Sequence, residues 1–206
     1  MKLLGYSIRM RGDGQARIKA SQIMNNLAAV ELIGPGRVDE VRAALPPEVL
    51  REVDQAAKTA WLPLEYDIAL AEAIERVFGP GSDRERSRTS TRLSTESSLL
   101  RPILDGIQKI FGLTPPAVIR ATTFAWGQLY RNCGEVKFKE LAANRALLTY
   151  EGLPKAMLDS PLYLASIGGG LHACLDLCKV EGSVRHQVRS RAEGKVEYEF
   201  EWQSPR

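Results

Sequence analysis

Between Lys195 and Trp202 every second residue is large and apolar (Val196, Tyr198, Phe200, Trp202), and those between are charged (Lys195, Glu197, Glu199, Glu201). This period of two belongs to a β-strand with one face buried and the other in water, so the end of the chain must wall a core. Val184, His186, Val188 and Ser190 repeat the pattern upstream, opposite Arg185, Gln187, Arg189 and Arg191. The intervening Ala192-Glu193-Gly194 suits a three-residue hairpin loop with Gly194 in the left-handed conformation. That loop predicts Arg189 opposite Glu197, Gln187 opposite Glu199 and Arg185 opposite Glu201 on the outer face. Inside, it sets Val188 against Tyr198, His186 against Phe200 and Val184 against Trp202. The arginine row alone would suit nucleic acid, but the glutamates opposite neutralise it and make it a structural ladder.

Upstream of Val136 the spacing is mostly helical. Leu4, Tyr6, Ile8 and Met10 alternate with small or basic residues as a first strand, Gly12-Asp13-Gly14 is a turn, and Ala16, Ile18 and Ala20 return as a second strand. Ser21 is the expected N-cap of a helix through Ile23, Met24, Leu27 and Val30, ended by Gly34-Pro35-Gly36. Pro46-Pro47 opens a helix through Val49, Val53, Ala57 and Trp61, which Leu62-Pro63-Leu64 interrupts. Another carries Ile68, Ala71, Ile74, Val77 and Phe78 as far as Gly79-Pro80-Gly81. Residues 82–98 hold one large apolar residue, Leu93, and are expected to form a mobile, solvated loop carrying Arg84, Arg86, Arg88 and Arg92.

Leu99, Leu100, Ile103, Leu104, Ile107, Ile110 and Phe111 then make the most hydrophobic helix face of the chain, suited to a central core or a dimer surface. Thr114-Pro115-Pro116 opens a helix through Val118, Ala125 and Trp126 to about Cys133. Val136 and Phe138 start a hairpin that turns at Asn144-Arg145 and returns over 146–150. Ser160-Pro161 caps a helix through Leu164, Leu171 and Cys178 that contains Gly168-Gly169-Gly170. Three glycines cost a helix roughly 2–3 kcal/mol relative to alanines, so they imply a close backbone approach or a break. The prediction is a single α+β domain over 1–206, with a helical N-terminal part packed on an antiparallel sheet of two C-terminal hairpins. Its parts are the strand pair and helices of 1–81, the loop of 82–98, and a helix/hairpin/helix/hairpin unit over 99–206.

Composition narrows the functional classes. The chain is 44% hydrophobic and 26% charged, as in an ordinary globular protein, and no apolar run approaches the ~20 residues of a membrane span. Its net charge of +3 is local: residues 1–20 carry Lys2, Arg9, Arg11, Arg17 and Lys19 against Asp13 alone. Three cysteines do not make a disulfide framework, which suits a reducing, cytoplasmic setting. No phosphate loop, dinucleotide fingerprint, nucleophile elbow or paired-histidine zinc motif is present. Of the two histidines, neither His172 nor His186 stands at a spacing that would pair it with Cys133 as a nucleophile, so no catalytic residue is assigned. Cys174 and Cys178 lie four apart on one helix face, but without a second matching pair they read as small hydrophobes, and no metal or cofactor is assigned. The aromatics are spread over several elements, and helices over a curved sheet can enclose an apolar cavity.

Ala60-Trp61-Leu62-Pro63-Leu64-Glu65-Tyr66, the Trp126-Gly127 helix with Gly134 beyond it, Gly152-Leu153-Pro154, and the closing Tyr198-Glu199-Phe200-Glu201-Trp202 together resemble an uncharacterised myxobacterial paralogous family of about 200 residues, over nearly the whole chain. The order of elements from about 115 to 202 also resembles the superfold shared by four-vinyl-reductase domains, heme–nitric-oxide-binding domains and the small subunits of the transport-particle tether. That likeness implies an α+β domain with a hydrophobic pocket and a tendency to dimerise. Members of the superfold often place Cys-x-Phe in the last strand, where this chain has Tyr198-Glu199-Phe200. A heme would need an axial ligand, and His172 has no matching motif around it.

The resulting expectation is a non-enzymatic cytoplasmic regulatory protein, acting through a small hydrophobic ligand or a protein partner, as a homodimer. The pocket candidates are Leu104, Ile107, Phe111, Trp126, Tyr130, Phe138, Tyr198 and Phe200. The interface candidates are Leu100, Ile103 and Ile110. The alternative is a nucleic-acid-binding regulator using Arg9, Arg11, Arg17, Lys19 and the 84–92 arginines.

Overall fold

The computed structural model describes residues 14–95, 101, 105–106 and 112–203. The fold is α+β. Its described elements begin with β1 (Arg17–Lys19), α1 (Ala20–Ile33), α2 (Val38–Ala43), α3 (Pro47–Gln55) and β2 (Trp61–Pro63). Next come α4 (Leu64–Phe78), α5 (Ser82–Thr95), α6 (Pro115–Leu129) and β3 (Tyr130–Arg131). The C-terminal part is β4 (Glu135–Ala142), β5 (Arg145–Glu151), α7 (Lys155–Leu158), α8 (Pro161–Leu177), β6 (Gly182–Ser190) and β7 (Lys195–Trp202). The short strands form an antiparallel sheet β2-β1-β3, and the two hairpins form an antiparallel sheet β4-β5-β7-β6. The early strand over Leu4 to Met10 lies outside the described residues.

Two apolar clusters hold the chain together. One joins Ile18, Val30, Val41, Val53, Leu70 and Ile74 among the N-terminal helices. The other packs α4, α6 and α8 onto the inner face of the larger sheet, around Leu148, Tyr150, Val196, Tyr198 and Phe200. Tyr198 anchors α8 by donating its hydroxyl to the Leu164 carbonyl at 2.8 Å. Ser160 caps α8 as expected, its Oγ accepting the Tyr163 N–H. Ser21 and Thr114 do not cap: α1 starts one residue before Ser21, and Thr114 makes no capping bond to α6. α3 and α6 also stop earlier than their apolar spacing suggests, because Trp61 and Tyr130 go extended to pair with β1.

The last hairpin keeps its predicted faces but not its register. A bulge falls between Val188 and Ser190 and the turn takes residues 191–194, so Gln187 lies opposite Glu197, Arg185 opposite Glu199, His186 opposite Tyr198 and Val184 opposite Phe200. The slip is of two residues, which leaves every side chain on its own side of the sheet. Gly194 takes the expected positive φ, 63°. Arg189 still reaches Glu197 as a diagonal ion pair. His186, placed on the inner face by its parity, is exposed on the edge strand β6, with its ring 5.5 Å from that of Tyr198.

The larger correction concerns residues 82–98. Ser82–Thr95 is a helix, not a loop, and its buried side is polar: Asp83, Arg86, Ser90 and Ser94, at helical spacing. Its counterpart is the triple glycine of α8, which stays helical. A Cβ at position 169 would stand 2.1 Å from the Arg84 carbonyl oxygen, so the two backbones touch there. The helix forms because small side chains such as Ser87 and Thr91 allow this approach, while Asp83, Arg86 and Ser90 on its buried side find polar partners inside.

Candidate functional site

Where α1, α4, α5 and α8 meet, a polar network is sealed from water. Asp67 of α4 is 2% exposed; its Oδ2 accepts the Tyr163 hydroxyl at 2.6 Å and its Oδ1 accepts the Asn26 amide at 2.6 Å. Asn26 Oδ1 in turn accepts from Ser90 at 2.6 Å and Gln22 at 3.1 Å. Beside it, Arg86 forms an ion pair with Asp83 and donates to Ser166 at 3.1 Å. Burial drives the Asp67 carboxyl above the usual carboxylate range, against the pull of Arg86 and its two hydrogen-bond donors. Burial alone would lower Arg86, but Asp83 and Asp67 outweigh it and hold the guanidinium charged.

The network ends at an apolar cavity. Tyr163 has its proton committed to Asp67, so it accepts from the Tyr130 hydroxyl at 3.4 Å. Tyr130 stacks on Trp126, ring centroids 3.9 Å apart, and Trp126 meets the edge of Tyr150 at 4.8 Å. Trp126 Nε1–H donates to the Cys133 carbonyl at 3.2 Å, which fixes the indole. These rings line a space of about 150 Å³ with Val118, Ala121, Ala125 and Leu129 of the α6 side, Ile167, Leu171, Cys174 and Leu177 of α8, and Gln22, Ser87 and Thr91 from α1 and α5. Among the described lining residues none is charged. Burial pushes the Cys174 thiol up to about 12 and the Tyr150 hydroxyl well above its ordinary value, so both stay protonated.

The candidates named from sequence separate here. Trp126 and Tyr130 line the cavity, whereas Tyr198 and Phe200 lie fully buried in the sheet core and Phe138 sits partly buried beneath the Arg120 guanidinium at 4.9 Å. Leu100, Ile103, Leu104, Ile107, Ile110 and Phe111 lie outside the described residues, as do Arg9 and Arg11. Lys19 and Arg131 stand 4.4 Å from the Trp61 ring, and Arg17 donates to the Trp61 carbonyl. Of the α5 arginines, Arg86 is internal, Arg88 is bound to Asp176 and Arg84 donates to the Val184 carbonyl, so they do not form a solvated phosphate-binding row. Cys178 is pushed up to about 11 by burial, and among the described residues no three His, Cys, Asp or Glu side chains gather as a metal-binding group. No helix among them is long and apolar enough to cross a membrane. Sequence reasoning missed Ser87, Thr91, Gly170, Tyr150 and the Asp67 network; the signal that could have found α5 was the 83, 86, 90, 94 spacing of its polar residues.

Comparison with solved structures shows the fold. The chain is similar to an H-NOX-family protein studied for heme distortion, with a TM-score of 0.65, 13% identity, and coverage of 92% of this chain and 97% of that one. An oxygen-binding H-NOX domain related to soluble guanylate cyclases, in its oxygen complex, matches with a TM-score of 0.63 at 13% identity over 91% of this chain and 96% of that one. A ferrous unliganded mutant H-NOX protein from K. algicida matches at 0.62 with 10% identity, over 91% and 97%. The helical half and the four-stranded half are therefore arranged as in H-NOX domains. No family model and no curated protein matches the chain.

Heme does not fit the described cavity. Heme iron needs an axial His, Cys thiolate, Met or Tyr, and its propionates seek cations. Neither histidine of the sequence lines the space: His172 Nε2 lies 3.1 Å from the Gly182 carbonyl, and His186 is exposed on the edge strand. Without a metal, burial holds the lining Cys174 thiol and the Tyr130 and Tyr150 hydroxyls protonated, and among the described residues no Lys or Arg lines the wall to meet propionates. At about 150 Å³ the space is also well below the ~300–1,000 Å³ of drug-sized sites.

Proposed function

We propose that this protein is a cytoplasmic regulatory module, non-enzymatic and heme-free, that binds a small neutral apolar molecule directly in the cavity between α6, α8 and the larger sheet, and that it belongs to the myxobacterial paralogous family its sequence resembles. The observation that carries the reading is the cavity of about 150 Å³, lined by Trp126, Tyr130, Tyr150 and Leu171, with no charged side chain among the described lining residues. An apolar cavity of roughly this volume takes up benzene or xenon, and this one is half open, which gives a small ligand a way in. Binding there would press on Tyr130, whose hydroxyl leads through Tyr163 to Asp67 at the junction of four helices. That connection gives ligand occupancy a route to helix packing, which is the coupling a regulatory domain requires. Among the described lining residues the Cys174 thiol and the Tyr130 and Tyr150 hydroxyls are held protonated by burial, so none of them is a ready nucleophile.

Titration of the purified protein with toluene, followed by backbone and indole amide shifts, is expected to give saturable changes at Trp126, Ala125 and Leu171. Hemin added in parallel is expected to give no sharp Soret band and no displacement of toluene. Absence of toluene shifts, or stoichiometric hemin uptake that expels toluene, would overturn the reading.

A further inference from the structure

We infer that the cavity selects a neutral ligand with one hydroxyl-type head, a small alcohol or phenol, held at a polar end made by Ser87 and Thr91 of α5 and exposed by Gly170 of α8. The inference rests on the ligand-binding reading above and adds the chemical class of the ligand. Ser87 and Thr91 are four residues apart, so both hydroxyls lie on the same side of α5, the side facing α8. Gly170 is the residue they face. A Cβ there would stand 2.9 Å from Thr91 Oγ1 and 3.1 Å from Ser87 Oγ, and its absence leaves the pair uncovered at the cavity wall.

Neither hydroxyl has a hydrogen bond to another described residue, and both residues are only partly buried at the half-open cavity, so the pair is free to meet a ligand there. Gln22 stands at the same end of the cavity, and its Oε1 is buried without a partner. Its orientation is set from within. Asp67 takes the Asn26 amide N–H, which turns Asn26 Oδ1 toward Gln22 Nε2 and leaves Gln22 Oε1 as the spare acceptor. The polar end therefore offers an acceptor and two hydroxyls that can give or take a proton, while the opposite end offers the Trp126 and Tyr150 rings. A carboxylate or ammonium ligand would be stranded, since no counter-charge is found among the described lining residues.

Calorimetric titration with toluene, phenol and benzoate on the full chain and on Ser87→Ala/Thr91→Val tests this. The unsubstituted protein is expected to bind phenol about tenfold more tightly than toluene and to reject benzoate; the double variant is expected to lose about tenfold in phenol affinity and keep its toluene affinity. Gly170→Ala is expected to remove the phenol preference through a different residue, guarding against a fold defect in the double variant. Toluene binding with equal phenol affinity in all three proteins would overturn the hydroxyl-head inference and leave the ligand-binding reading standing. Failure of toluene and phenol alike on the unsubstituted protein would overturn both.

Discussion

The β6–β7 hairpin and α5 are the two stretches of the chain richest in arginine, glutamate and serine, and they use these residues in opposite ways. On the hairpin, Arg185 and Arg189 face water, Glu197 and Glu199 are partly exposed beside them, and the apolar half of each alternating pair is what packs. On α5 the polar residues are themselves the packed face: Asp83 and Ser90 are fully buried and Arg86 is 2% exposed. The difference lies in the neighbour. A sheet buries its large side chains under α8, whereas α5 meets α8 backbone to backbone at Gly169 and Gly170, where only small side chains fit, and turns Arg86 and Ser90 onto polar partners in α8 and α1. Polar sequence is thus no measure of solvation where a glycine face exists to receive it.

If that contrast is correct, the two regions differ in their sensitivity to substitution. The largest effect is expected from Arg86→Met, which leaves Asp83 and Asp67 without their shared cation. The loss should be about 3–5 kcal/mol at neutral pH by chemical denaturation. Asp67, already raised by burial, would then hold its proton still more tightly folded than unfolded, so the variant should regain stability as pH falls toward the ordinary carboxylate range. Next is Gly169→Ala, expected to cost about 1–3 kcal/mol by overpacking against the Arg84 carbonyl. Its neighbour Gly168→Ala meets only the Tyr198 ring, at 3.6 Å, and should be neutral or slightly stabilising through helix propensity. Ser160→Ala, removing the cap of α8, should cost about 1 kcal/mol. On the hairpin, removing Glu197 from its exposed Arg189 partner should cost less than about 1 kcal/mol, a loss that salt screening should shrink further.

Acid stability separates the regions again. The Arg88 hydrogen bonds hold the Asp176 carboxyl below its ordinary value of 3.8. Folded Asp176 therefore gives up its proton more readily than the unfolded chain does, so this stabilisation is complete above about pH 4 and is lost as pH falls through the folded value. Arg88→Met should flatten that acid limb of the stability curve, with little change in its shape above pH 5.

Much of the fold was legible because its signals are local. Period two marked β4 to β7, Gly34, Gly79 and Gly194 marked stops and turns, and Ser160-Pro161 marked the start of α8. What could not be read depends on partners distant in sequence. α5 is unintelligible without α8, since Leu93 aside it has no apolar content to reveal a face. The hairpin register hung on a bulge that no residue announces. At the cavity, the aromatics Trp126 and Tyr130 stood out by composition, but Ser87, Thr91 and Gly170 acquire meaning only when brought together from 79 or more residues apart in the chain. Likeness to H-NOX domains at 13% identity carries the architecture, while the wall chemistry differs from what a heme requires.

The measurement that bears most directly on this account is a crystal structure of the protein under xenon pressure. The account predicts one ordered xenon between Trp126, Tyr150 and Leu171, with the Asp67 network unchanged. A cavity filled by the protein's own side chains, or a porphyrin carried through purification in its place, would contradict it.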